Sequence, residues 1–129
     1  MRLLIDTHIL LWAQESPRRI PRALRDAIVD DTNEILVSAA TVWEIGIKRA
    51  TGKLRFDRSV VDALRSLGFG LLPISGIHAE YAGSLPRHHN DPFDRMLVAQ
   101  AILENLVLGT HDESMGPYAA EILGIPRPG

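Results

Sequence analysis

Arg2-Leu3-Leu4-Ile5-Asp6-Thr7-His8-Ile9-Leu10-Leu11-Trp12 opens the chain with two apolar runs separated by a carboxylate. The first run, Arg2–Ile5, is continuous rather than alternating and reads as a short buried strand. Strands of that kind bury both faces, as in parallel sheets covered by helices on each side. Asp6 cuts the run off. His8–Gln14 is apolar again and reads as a helix, broken at Ser16-Pro17.

The same rhythm continues outward from this stretch. Pro21 sits in the first turn of a helix running to about Asp30. Glu34–Val37 reads as a second strand, and Ser38 then caps a helix over Ala39–Ala50 that Gly52 ends. Ser59 caps Val60–Leu67, with Gly68 as its stop. Phe69–Pro73 reads as a third strand, and Ser75 starts a helix through about Gly83. Asn90 or Asp91 caps a long helix with Pro92 at its start, reaching about Asn105. Leu106–Leu108 is a fourth strand, closed by Gly109. The tail, with Pro117, Gly124, Pro126 and Pro128, gives no clear element. Strands alternate with helices, so the fold class is α/β with a central, mainly parallel sheet covered on both faces. The 129 residues fit one domain, 1–129, with no repeat or linker that divides it.

Composition removes several chemistries. There is no cysteine, which excludes disulfides, thiolate zinc sites, iron–sulfur clusters and cysteine nucleophiles together. No apolar run approaches the ~18 residues of a membrane span. The N-terminal stretch is short, is broken by Asp6 and His8, and lacks a basic lead, so it does not read as a signal peptide. A reducing cytoplasm is the expected location. The net charge is −2, so any contact with nucleic acid must come from local patches. Arg18, Arg19, Arg22 and Arg25 make one such patch. Lys48, Arg49, Lys53, Arg55 and Arg58 make another. Each taken alone is an ordinary solvated face.

The acids are more informative. Ligands of open parallel sheets bind beyond the carboxyl ends of the strands. Asp6 follows the first strand directly, and Asp112 follows the fourth across Gly109-Thr110-His111. If both strands are central and parallel, both carboxylates arrive at one edge. Glu44 lies among apolar neighbours in Thr41-Val42-Trp43-Glu44-Ile45-Gly46-Ile47. Asp94 precedes Leu97, Val98 and Ala101 at spacings of three, four and seven, which puts it on the apolar stripe of its helix. Two carboxylates ~4 Å apart repel by about 4 kcal/mol at an effective dielectric of 20. Protons, Lys or Arg, or a metal must offset that. Oxygen ligands alone favour hard cations, Mg²⁺ or Mn²⁺, and such a site suits phosphodiester hydrolysis.

Taken singly, each acid has an ordinary reading. Asp6 could cap the next helix. Glu44 could pair with Lys48 at i+4. Asp94 could be a first-turn carboxylate favoured by the helix dipole, and Asp112 a turn residue. Asp91 is a helix cap in any case.

The same positions resemble the PIN-domain family, and within it the VapC-type toxins. Leu4-Ile5-Asp6-Thr7-His8-Ile9-Leu10-Leu11-Trp12 looks like that family's first block. Ser38–Lys48 with Gly52-Lys53-Leu54 resembles the second, and His89–Ala101 the third. Thr110-His111-Asp112 with Met115 and Tyr118 resembles the fourth, where Met115 replaces the usual aromatic. The blocks run in order through nearly the whole chain.

The resemblance implies a three-layer α/β/α sandwich and a Mg²⁺- or Mn²⁺-dependent endoribonuclease. Carried over by position, Asp6, Glu44, Asp94 and Asp112 are its metal-binding, catalytic acids. Thr7 is then a hydrogen-bonding partner for a carboxylate or a bound water, and Asp91 an auxiliary acid. His111 is the histidine to test for a supporting role, and Arg95 either touches phosphate or forms a surface ion pair. A water would attack the RNA phosphodiester in line, leaving 5′-phosphate and 3′-hydroxyl ends. The resemblance also implies a cognate antitoxin as partner and a homodimer.

Two rival readings differ in class. One is an aspartyl-nucleophile phosphatase with Asp6 as nucleophile. It wants a second Asp two residues on, where His8 stands. The other is an inactive PIN-like module that only binds RNA or protein, which the presence of all four acids disfavours.

Overall fold

The computed structural model describes residues 1–125. The prolines at 126 and 128 in the tail lie outside the described residues. The strands are β1 (Arg2–Ile5), β2 (Glu34–Ser38), β3 (Gly70–Leu72), β4 (Val107–Gly109) and β5 (Ile122–Leu123). The helices are α1 (Thr7–Glu15), α2 (Arg22–Val29), α3 (Ala39–Ala50), α4 (Val60–Leu67), α5 (Gly76–Ser84) and α6 (Pro92–Leu103). Short 3₁₀ turns cover Pro17–Arg19 and Glu113–Met115.

The sheet order is β3-β2-β1-β4-β5, and every pairing is parallel. β1 is therefore central, flanked by β2 and β4, as its unbroken apolar run demands. Leu3 and Ile5 face one layer with Ile35 and Val37 of β2. There they meet Ile9 and Leu10 of α1, Leu24 of α2, Ile45 of α3 and Leu64 of α4. Leu4 and Leu36 face the other layer, against Ala82 of α5, Leu97, Val98 and Ala101 of α6, and Leu108, Met115 and Tyr118. The result is the three-layer α/β/α arrangement. Each fully buried Leu or Ile contributes roughly 1.5–3 kcal/mol to it.

The caps fall where the sequence puts them. Ser38, Ser59 and Asp91 cap α3, α4 and α6 through side-chain oxygens. Gly68 ends α4 in the left-handed conformation at φ 76°. Several boundaries shift, β4 among them, which covers Val107–Gly109 in place of Leu106–Leu108. Pro21 is the residue before α2 rather than inside it. The third strand shrinks to Gly70–Leu72. α6 stops at Leu103, two residues early, because Asn105 turns left-handed at φ 54° to feed β4. β5 is an addition that the tail did not announce. It pairs Ile122 with Leu108 and Leu123 with Gly109.

Candidate metal centre

The carboxyl ends of β1 and β4 lie side by side, with Ile5 opposite Gly109. Asp6 leaves β1 at that edge and is 3% exposed. Its amide donates to the Gly109 carbonyl at 2.9 Å. Its Oδ1 accepts the Ile9 amide at 2.9 Å, so it does cap α1. Its Oδ2 accepts the Thr110 hydroxyl at 2.5 Å. Capping and a site role coexist, because the two oxygens are used separately.

Thr110, fully buried just past β4, has a second contact. Its Oγ1 accepts the Asp112 amide at 3.0 Å. One hydroxyl thus ties the first acid to the backbone of the last. Asp112 caps the following turn through Oδ1, which accepts the Ser114 amide (3.0 Å) and hydroxyl (2.6 Å). Its Oδ2 faces His89.

Asp94 lies in the first turn of α6, behind the cap made by Asp91, whose Oδ1 accepts the amides of Phe93 (2.8 Å) and Asp94 (3.2 Å). His89 Nε2 is 2.9 Å from Asp94 Oδ2 and 3.1 Å from Asp112 Oδ2. The Asp91 amide donates to His89 Nδ1 at 3.1 Å. That nitrogen is therefore the acceptor, and Nε2 carries the proton toward the two carboxylates. His89, Asp94 and Asp112 offer ligand atoms within 4.8 Å of one another.

Glu44 reaches the site from the middle of α3 and is 5% exposed. Thr7 Oγ1 donates to its Oε1 at 2.5 Å and lies 3.3 Å from Thr41 Oγ1. Lys48 Nζ donates to its Oε2 at 2.7 Å. The i+4 pair expected of Glu44 is therefore present, and Glu44 is the best neutralised of the four acids. Among the described residues, no lysine or arginine pairs with Asp6, Asp94 or Asp112.

The electrostatics follow from that shortage of positive charge. Burial pushes the Asp6 carboxyl above its ordinary value against the pull of Thr110 and Ile9. Asp94 is pushed up to about 7, first by burial, then by the negative charges of Asp91 and Asp6, with Glu44 adding to them. Burial also acts upward on Asp112, but its bonds from Ser114 and His89 hold it below the usual range. The bond to Glu44 holds Lys48 above its ordinary value.

The structure therefore brings Asp94 and Asp112 together on His89, joins Asp6 to the backbone of Asp112 through Thr110, and turns Glu44 toward Thr7 and Lys48. Two supporting expectations change. His111 does not touch the acids: its Nδ1 meets the Gly124 carbonyl at 3.1 Å and its ring lies beside Trp12. Arg95 makes neither a phosphate-ready cation nor a surface ion pair. Its guanidinium holds the carbonyls of Ala82 (3.1 Å), Leu85 (3.0 Å) and Pro86 (3.0 Å), which fixes the loop before α6. His89 and Thr110 were not singled out from sequence. Thr110 carried a signal, since a hydroxyl at the end of β4, beside the end of β1, is placed to bond the Asp6 carboxylate.

The donor set suits a hard divalent cation. It is carboxylate-rich, partly buried and short of positive charge, and an inserted cation would relieve the repulsion that raises Asp94.

The profile of the PIN domain family matches residues 3–120. No curated protein sequence is similar enough to match. Several solved structures share the fold. A chain of VapBC2 from Rickettsia felis, bound to a promoter DNA fragment, is 18% identical with a TM-score of 0.70. That alignment covers 98% of this chain and 100% of the other. A chain of DNA-bound VapBC from Salmonella typhimurium is 15% identical with a TM-score of 0.69, covering 95% and 97%. One of FitAcB from Neisseria gonorrhoeae is 18% identical with a TM-score of 0.63, covering 94% and 96%.

Proposed function

The chain belongs to the PIN domain family, and from that premise we propose that it is a Mg²⁺- or Mn²⁺-dependent endoribonuclease, the VapC-type toxin of a toxin–antitoxin pair. Asp6, Glu44, Asp94 and Asp112 are its metal-binding acids. The observation that carries this reading is the convergence of Asp6, Asp94 and Asp112 at one sheet edge with, among the described residues, no lysine or arginine paired to them. A fold that buries such a group at a cost to its own stability has a use for it.

A bound divalent cation would supply charge for the phosphate and lower the pKa of a water. The chain's own residues prepare for that. Thr110 and the Ile9 amide fix both oxygens of Asp6. Thr7 orients Glu44, while Lys48 limits the charge on its other oxygen. His89 keeps Asp94 and Asp112 within reach of one another. Arg95 anchors the loop that carries His89.

An antitoxin partner is supported by the fold relatives, which were solved as VapBC complexes. A homodimer working in the cytoplasm, folded as one domain over residues 1–129, completes the reading. Among the described residues, no helix is long and apolar enough to cross a membrane.

The test is incubation of the purified chain with single-stranded RNA in Mn²⁺ and in EDTA, beside Asp94→Asn. Internal cleavage that needs Mn²⁺ and is lost by ~10²-fold or more in the variant supports the reading. Equal cleavage by both proteins, or none by either, rejects it.

A further inference from the structure

Beside the acids runs a group of side chains that this chemistry leaves unused. Trp12 of α1 is flanked by His8, with ring centroids 6.3 Å apart, and by His111, 6.1 Å away. Both imidazole rings are tilted to the indole, at 54° and 56°, and both histidines are exposed. The Arg19 guanidinium lies 4.7 Å over the Trp12 ring. The group adjoins the site by chain connection: His8 is two residues past Asp6, and His111 stands between Thr110 and Asp112.

The two basic patches differ in what their charges do. In the second patch, Lys48 is bound to Glu44 and Arg55 pairs with Asp57, while Arg58 donates to Ser66 and Arg49 to the carbonyls of Phe56 and Arg58. Arg49, Arg58 and Lys53 have no carboxylate partner among the described residues. In the first, Arg22 pairs loosely with Asp26. Among the described residues, Arg18 and Arg19 have no carboxylate partner. The first patch is the one that carries an aromatic ring, with the Arg19 guanidinium over Trp12.

An acidic site on a chain of net charge −2 repels a phosphate backbone, so a substrate strand needs positive surface close by. An indole with a guanidinium over it suits an unpaired nucleotide, in which a base stacks and a phosphate meets the cation. Paired bases offer no free face, which points to a single strand.

We propose that Trp12, Arg19, Arg18, His8 and His111 form a single-stranded RNA subsite that holds a nucleotide flanking the scissile phosphate. This rests on the ribonuclease reading above. The base takes the Trp12 ring face that the Arg19 guanidinium covers, and the displaced Arg19, with Arg18, meets the neighbouring phosphate. Neither imidazole needs to be charged, because each serves as a flat wall and a hydrogen-bond donor.

The experiment measures binding without cleavage. The full chain carries Asp94→Asn to stop hydrolysis and Trp43→Phe so that Trp12 is the only tryptophan. The probe is a labelled, unstructured 12-nucleotide RNA followed by anisotropy across a salt series, with Trp12 emission read in parallel. Adding Arg18→Ala and Arg19→Ala is expected to weaken binding about tenfold or more and to lower the log–log salt slope by roughly 0.7 per lost phosphate contact. RNA is expected to quench Trp12 emission. Arg65→Ala, a change on α4, is the control and leaves both unchanged. Unchanged affinity and slope in the arginine variant, or Trp12 emission indifferent to saturating RNA, overturns the subsite. So does an acidic peptide that quenches Trp12 when RNA does not. Since no cleavage is read, a failed nuclease assay with intact Trp12 binding rejects the enzyme and leaves a single-stranded RNA-binding site without a scissile phosphate, and the reverse pattern rejects the subsite alone.

Discussion

His89 Nε2 lies 2.9 Å from Asp94 Oδ2, so an imidazole N–H stands where the acids most need positive charge. The same nitrogen is 3.1 Å from Asp112 Oδ2. In protein without metal, His89→Ala leaves these two carboxylates facing each other. The expected loss is about 1.5–3 kcal/mol, the range for hydrogen bonds to charged groups. A divalent cation compensates the same repulsion, so saturating Mn²⁺ should shrink the deficit. Thermal melts in EDTA and in Mn²⁺ check this, and an equal deficit in both would contradict the role given to His89.

Asp94 makes the metal-free protein sensitive to pH in a defined direction. Its carboxyl titrates near about 7 in the folded chain against an ordinary value of 3.8. Between those values the folded state holds a proton that the unfolded state has released. Stability from this group is therefore full below the ordinary value and is lost as pH rises toward 7. Asp6, also raised, acts in the same sense. Asp112, held low, acts in the opposite sense and loses its contribution as pH falls through its own range. Asp94→Asn should flatten the decline and raise stability near pH 8 by about 1 kcal/mol or more, ~4 °C in Tm. Urea titrations at pH 5 and pH 8 in EDTA measure it. A slope identical in the variant would show that Asp94 is not the group responsible.

Thr110 is a hinge of the site's hydrogen bonding, since its hydroxyl donates to Asp6 and accepts from the Asp112 amide. Thr110→Val keeps the shape and removes both bonds, leaving a buried carboxylate oxygen and a backbone N–H without partners. The expected cost is about 2–4 kcal/mol. Thr110→Ser should recover most of it, which chemical denaturation of the two variants can compare. A serine variant as unstable as the valine one would mean that packing, not hydrogen bonding, is what Thr110 provides.

The sheet centre and the acids on it were legible because their signals are local. Leu3-Leu4-Ile5 followed by Asp6 states a doubly buried strand and its end within four residues. Asp94 betrays itself by sharing a stripe with Leu97 and Val98. The hidden parts depend on distant chain. β5 is two residues long, too short for any period, and exists because β4 offers it an edge. His89 is an ordinary loop residue until Asp112, 23 positions later, folds back against it. Arg95 read as a phosphate contact or a surface ion pair, but its guanidinium meets loop carbonyls that nothing near it in sequence marks.

Gly124 gives the tail a sharper test. Its φ of 117° is a conformation for glycine, and a Cβ there would run into the Thr110 carbonyl oxygen. Gly124→Ala should therefore pull β5 from β4, costing about 2 kcal/mol or more. Hydrogen exchange should show the Thr110 amide, which donates to the Leu123 carbonyl, losing protection. Retained protection would mean that the tail adapts without leaving the sheet.

In the proposed function, acids from separate parts of the chain share one divalent cation. Mn²⁺ binding followed by electron paramagnetic resonance and calorimetry, on wild type, Asp6→Asn and Asp94→Asn at pH 8, tests it most directly. Both substitutions should weaken binding by at least tenfold, although Asp6 and Asp94 lie on different elements and each variant remains folded. Mn²⁺ affinity unchanged by either substitution would contradict the account.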